Sequence, residues 1–95
     1  MSSNPTLIEV RDLLILVDRL IAELERAGED ASNYKEINRS KNILINNDMR
    51  AMKNVRRHIF FDFRTIEDKM ICDNFVNKAM DDICDFFDNH EAFST

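Results

Sequence analysis

Glycine and proline are almost missing, with one of each in 95 residues. Sheets need tight reversals, and those reversals draw on glycine, proline, asparagine and aspartate in turn conformations. A chain this poor in Gly and Pro but rich in Leu, Ile, Met, Glu, Asp, Lys and Arg points to helices joined by short polar turns. Long apolar runs are missing too. The longest is Leu13-Leu14-Ile15-Leu16-Val17, far short of the roughly 20 residues that a membrane-spanning helix needs. There is no basic-then-apolar leader at the start, so a cytoplasmic protein that makes no use of a membrane is expected. Cysteine is scarce, and Cys72 and Cys84 lie twelve apart, which is neither a CxxC nor a zinc spacing. Two buried or half-buried thiols in a reducing compartment are therefore expected.

Signatures of chemistry are missing as well. The acidic residues Asp81, Asp82, Asp85, Asp88 and Glu91 lack the glycine and the alternating ligands of a calcium loop. No Glu-x-x-His tetrad suited to a di-iron helix occurs. His58 and His90 have no neighbouring cysteine, and no catalytic triad can be assigned from them. So short a helical chain also has little volume for a pocket. No cofactor and no catalytic residue is implied, and the expectation is a protein that acts by binding.

What remains is a pattern of helical faces. Thr6 with Glu9 forms a capping-box start, after which Leu7, Val10, Leu14, Val17, Ile21 and Leu24 recur at steps of three and four. Leu13 and Leu20 widen this seam, and Ile8, Ile15 and Leu16 widen it further. The result exceeds the usual apolar face of about 100°. Such a helix is either central in its bundle or part of an interface, and Leu13, Leu14, Val17, Leu20, Ile21 and Leu24 are the candidate interface residues. Gly28 supplies a helix stop, and Ser32 or Asn33 supplies the next N-cap. A second helix carries Tyr34, Ile37, Leu44, Ile45, Met49, Met52, Val55 and Ile59. Asn46-Asn47-Asp48 interrupts it with three poor helix formers, as a kink or a break. Phe60, Phe61 and Phe63 are expected to plug one end of the bundle. Thr65 with Asp68 is the expected start of a last amphipathic helix carrying Ile71, Cys72, Phe75, Val76, Ala79, Ile83, Phe86 and Phe87, and ending near His90.

The fold class that follows is all-α: one domain over 1–95, an antiparallel bundle of three helices, or four if the second is divided, that dimerises. Charge is unevenly spread along it. The net charge is −5, but residues 30–64 hold eight basic against four acidic side chains, and residues 65–95 hold two against eight. This asymmetry orients helices or subunits and leaves room for a local basic patch.

Two functional expectations arise. The first is a helical interaction module: an adaptor, inhibitor, immunity or regulatory protein of bacterial or viral type, with a protein partner and with self-association through the over-wide first helix. The second is recognition of RNA or a nucleotide by the basic segment. Arg50, Lys53, Arg56, Arg57, His58 and Arg64 fall within fifteen residues, where cations can hold phosphates and neighbouring aromatics can stack bases. The competing expectation for that segment is pairing with Asp and Glu of a neighbouring helix.

The stretch Lys53-Asn54-Val55-Arg56-Arg57-His58-Ile59-Phe60 also resembles the Arg-Asn-x-x-x-His-x-Tyr element of the HEPN family. Those domains are helical bundles, many of them ribonucleases or inactive relatives of ribonucleases. The resemblance covers eight residues. Asn54 and His58 match, while Lys53 stands where the family has its catalytic or phosphate-binding arginine and Phe60 stands for tyrosine. Those departures put cleavage in doubt.

Overall fold

The computed structural model describes residues 5–93. It contains four α-helices: α1 (Leu7–Arg26), α2 (Lys35–Ile45), α3 (Val55–Asp68) and α4 (Asn74–Asn89). Short 3₁₀ turns cover Ala31–Asn33, Met52–Asn54 and Glu91–Phe93, and there is no strand among the described residues.

The start of α1 is the expected capping box. The Glu9 N–H donates to Thr6 Oγ1 at 3.1 Å, and the Thr6 N–H donates to Glu9 Oε1 at 3.0 Å. Its end is equally local. Gly28 adopts φ +93°, its N–H donates to the Glu25 carbonyl, and the Glu29 N–H donates to the Leu24 carbonyl. That is a Schellman termination, which needs a left-handed residue just beyond the helix.

The end of α2 repeats this pattern without glycine. Asn47 takes φ 49°, and the N–H groups of Asn47 and Asp48 return to the carbonyls of Leu44 and Ile43. Asparagine tolerates the left-handed region better than most residues. The expected interruption at 46–48 is therefore a full break, and the second helix is two helices. Asp48 then caps the turn that follows, its Oδ1 accepting from the N–H groups of Arg50 and Ala51.

Two expected helix starts lie elsewhere. Ser32 and Asn33 belong to the 3₁₀ turn, where Asp30 accepts from the Ser32 N–H at 3.0 Å. The N-cap position of α2 is Tyr34, whose side chain makes no capping bond. Asp62 of α3 caps α2 instead, accepting from the N–H of Ile37 at 2.8 Å and also from that of Glu36. Thr65 lies within α3, which runs on to Asp68. The start of α4 is capped by Asp73, which accepts from the N–H groups of Phe75 and Val76 at 2.9 and 3.0 Å. Ile71 and Cys72 consequently lie before α4 rather than on it. Cys72 is exposed, against expectation, and Cys84 is half-buried; both are free.

Paired side chains give the directions. Glu9 meets His90 at 2.8 Å and Arg26 meets Asp73 at 2.7 Å, so α1 and α4 run antiparallel. Asp18 meets Lys41 at 2.9 Å, placing α2 against α1. Asp62 under Ile37 and the Ser40 hydroxyl 3.3 Å from the Val55 carbonyl set α3 antiparallel to α2. Thus α1 lies between α2 and α4.

That position accounts for much of the over-wide face within the chain. Leu13, Val17, Leu20 and Leu24 are 0% exposed within the chain itself, while Leu14 and Ile21 are half-buried against the same core. Within the chain, α2 and α4 cover most of the over-wide face. Its outermost row stays open, with Ile8 and Ile15 71% and 63% exposed, as does Leu7 at the start of the seam.

The gap between α3 and α4 is closed by rings. Phe60 packs edge-on against Phe63 and Phe87, with centroids 5.5 and 5.4 Å away, and Phe93 packs on Phe86 and Phe87. The aromatic run does seal the bundle, but from within a helix. Phe61 is the exception: it points outward and is 64% exposed.

Candidate functional site

Helix α3 has an inner row, Val55, Ile59, Phe63 and Ile66, buried in the core. The opposite row carries Arg57, Phe61 and Arg64 at steps of four and three, so these residues form one ridge along the helix, with Lys53 in the 3₁₀ turn that precedes it. Beside that ridge opens a cleft of about 400 Å³, lined by Lys53, Arg56, Arg57, Phe60, Phe61, Arg64 and Phe93. Its volume lies within the range of about 300–1,000 Å³ typical of ligand pockets.

Four cations and three phenylalanines make up its walls. The guanidinium of Arg56 lies over the Phe60 ring, 5.0 Å from its centroid, a cation–π contact that holds the charge flat against an apolar floor. Arg56 Nε is shielded from solvent and has no hydrogen-bond partner among the described residues. Such an orphaned donor costs free energy that a ligand acceptor would recover.

The expected alternative, pairing of this segment with acidic neighbours, is answered by the ion pairs. Those among the described residues involve Arg26, Arg39, Lys41, Lys69, Lys78 and the two histidines. None of them uses Arg50, Arg56, Arg57 or Arg64. Arg56, Arg57 and Arg64 thus make no direct ion pair among the described residues, whereas His58 does pair with Glu36 of α2.

The six positions named from sequence do not all converge. Lys53, Arg56, Arg57 and Arg64 line the cleft. Arg50 lies in the turn before α3, with its N–H on Asp48, and is not part of the cleft lining. His58 faces another way, its Nδ1 3.7 Å from Glu36 Oε1. Asn54 is in the preceding 3₁₀ turn. Hence neither residue matching the HEPN element lines the cleft. Phe93 is the lining residue that sequence reasoning misses, because nothing around it marks it as reaching back across α3.

One acidic element borders the cations. Burial pushes the Cys84 thiol up from its ordinary pKa, and Asp81, Asp88 and Asp85 add to that shift while Arg56 opposes it. The row of acids on α4 therefore lies within electrostatic reach of Arg56. Cys84 is held as a protonated thiol, unsuited to act as a nucleophile. Among the described residues no group of three or more His, Cys, Asp or Glu could hold a metal ion. Nor is any helix among them long and apolar enough to cross a membrane.

Comparison with known proteins adds no relative: no protein-family model, no curated protein and no solved structure matches the chain.

Proposed function

We propose that this chain is a binding protein whose α3 cleft takes the nucleotide unit of a single-stranded nucleic acid. One observation carries the reading: Arg56, Arg57 and Arg64 converge on phenylalanines in a cleft while making no ion pair among the described residues. Arginine forks suit phosphate oxygens, and exposed aromatic faces stack bases without regard to sequence. Phe61 is the ring available for stacking. The acidic total does not forbid this. Salt screens charges beyond about 8 Å under physiological conditions, so at contact range the cleft's own cations dominate.

The test is fluorescence anisotropy with a labelled single-stranded octanucleotide at low salt, beside the ratio of absorbance at 260 and 280 nm of the purified protein. With no tryptophan and a single tyrosine in the chain, bound nucleotide would raise that ratio visibly. Arg56→Glu with Arg57→Glu is expected to weaken octanucleotide binding by more than tenfold, since each substitution turns an attraction for phosphate into a repulsion. Unchanged binding in a variant that melts like the parent would end this reading.

A second reading keeps the chain an adaptor, inhibitor, immunity or regulatory protein acting through a protein partner or a second copy. It is supported by Ile8 and Ile15, which lie seven residues apart on α1 and stay largely exposed. It predicts a dimer or larger assembly by light scattering that Ile8→Asp with Ile15→Asp dissociates. A monomer at high micromolar concentration would remove the self-association part of it.

A further inference from the structure

Three depressions lie on the outer surface of α2 and α3, and they share walls. The basic cleft of α3 ends at Phe61. On its other side Phe61 also lines a second depression, together with Lys35 and Arg39 of α2. Lys35 and Arg39 in turn line a third, a shallow groove that continues along α2 past Asn38, Asn42 and Asn46. The α2 side of this path is one helix face, since Lys35, Arg39, Asn42 and Asn46 follow at steps of four, three and four. It extends roughly 16 Å at 1.5 Å per residue.

Resting on the reading of the α3 cleft, we infer that the bound strand does not stop there: it crosses over Phe61 and continues along the Lys35–Asn46 face of α2. The chemistry along the path is that of a single strand. Cations of the α3 cleft and of the first turns of α2 meet phosphates, and an exposed ring sits between them where a base can stack. Beyond them the amides of Asn42 and Asn46, beside Asp48 at the far end, can donate to and accept from base edges. Three features limit what else fits. Glu36 lies on the path, its Oε2 3.5 Å from Arg39 but without a hydrogen bond among the described residues and its Oε1 3.7 Å from His58, so its charge is offset only in part. Asp62 lies beneath it, buried and turned toward the N–H groups that start α2. The acids of α4 border the Arg56 side, where the second strand of a duplex would bring further phosphates. The path therefore suits one flexible polyanion with flat side groups better than a rigid duplex.

The experiment compares a trinucleotide with an octanucleotide, in ribo and deoxyribo forms, on the parent chain and on Lys35→Ala/Arg39→Ala/Asn42→Ala. These α2 positions are outward-facing, and alanine is the best helix former, so the triple variant is expected to fold; a thermal melt checks that it does. The variant should bind the octanucleotide at least tenfold more weakly. Its salt dependence should be shallower by roughly 1.4 in logarithmic slope, because two phosphates of a single strand are no longer neutralised. Trinucleotide binding should stay within about twofold of the parent. Equal octanucleotide affinity in parent and triple variant would overturn the extended path while leaving the α3 cleft as the site. Tighter binding of a matching duplex would also overturn it. Binding of neither oligonucleotide by the parent would remove the cleft reading itself. Displacement of bound octanucleotide by an equal concentration of a Glu- and Phe-containing octapeptide would overturn it in favour of an acidic protein segment. The ribo and deoxyribo arms state which strand is preferred, since only RNA offers the 2′-hydroxyl.

Discussion

Leu13→Asp is expected to leave no cooperative thermal transition by circular dichroism, while Ile15→Asp, two residues on, should melt within about 4 °C of the parent. The contrast follows from burial. Leu13 is 0% exposed inside the four-helix core, where an unpaired carboxylate costs several kcal/mol against a total stability of about 5–15 kcal/mol. The Leu13→Ala variant should fall between, losing roughly 2–5 kcal/mol as a large-to-small core change. The outcome also separates two roles for the same residue. If the Leu13 face were covered by a second copy, Leu13→Asp would yield a folded monomer with a helical spectrum. A chain that loses its helical signal confirms that α2 and α4 do the covering.

The second large effect concerns Asp62. Its carboxylate is the cap of a helix other than its own, and the Ile37 N–H has it as acceptor. Asp62→Ala should cost about 1–3 kcal/mol, the penalty of leaving buried donors unsatisfied. Asp62→Asn keeps an oxygen acceptor and removes the charge, and its effect depends on pH. Burial raises the Asp62 pKa above the ordinary carboxylate value, outweighing the N–H groups of Ile37 and Glu36, which lower it. A raised folded-state pKa means that the folded protein holds this proton more tightly than the unfolded chain does. The associated stability is complete below the unfolded value near 3.8 and is lost as pH rises through the raised folded value. Relative to the parent, Asp62→Asn should therefore gain stability as pH rises through that interval, then hold the gain to neutrality. Urea titrations at several pH values on both proteins measure this. A stability of Asp62→Asn that falls relative to the parent as pH rises would contradict the buried, charge-disfavouring site.

The helices themselves were legible from local chemistry. The Thr6–Glu9 capping box, the stop at Gly28 and the inward face of α4 through Ile83 and Phe87 all depend on neighbours a few residues away. What stayed hidden depends on distant ones. Asp62 as the cap of α2 cannot be read from the sequence around Lys35, where Ser32 and Asn33 look like better starts. The end of α3 was hidden for another reason: Met70 takes the left-handed conformation, φ 55°, where a glycine would have advertised the turn. The breadth of the α1 face was visible, but a wide stripe is equally consistent with two intramolecular neighbours or one intermolecular partner. The order of helices in space shows two intramolecular neighbours on it. For the candidate site, the cations of 53–64 were visible as a cluster. Their convergence on Phe93, and the shared walls that bring Lys35 and Arg39 beside Phe61, required the packing of α2 on α3.

The pairing of the first helix with the last has a consequence for how the chain comes off the ribosome. Helices α2 and α3 are neighbours in sequence and can dock as a local hairpin soon after they emerge, since contacts close in sequence form fastest. Helix α1, made first, must wait for α4. One side of its apolar face finds α2 early, but the flank that α4 covers stays bare until the Asp73-capped helix has been synthesised. At about 5–20 residues per second that is an interval of several seconds. During it, the nascent protein displays a leucine-rich strip that the finished protein conceals, and a chaperone that reads such strips has its opportunity only then.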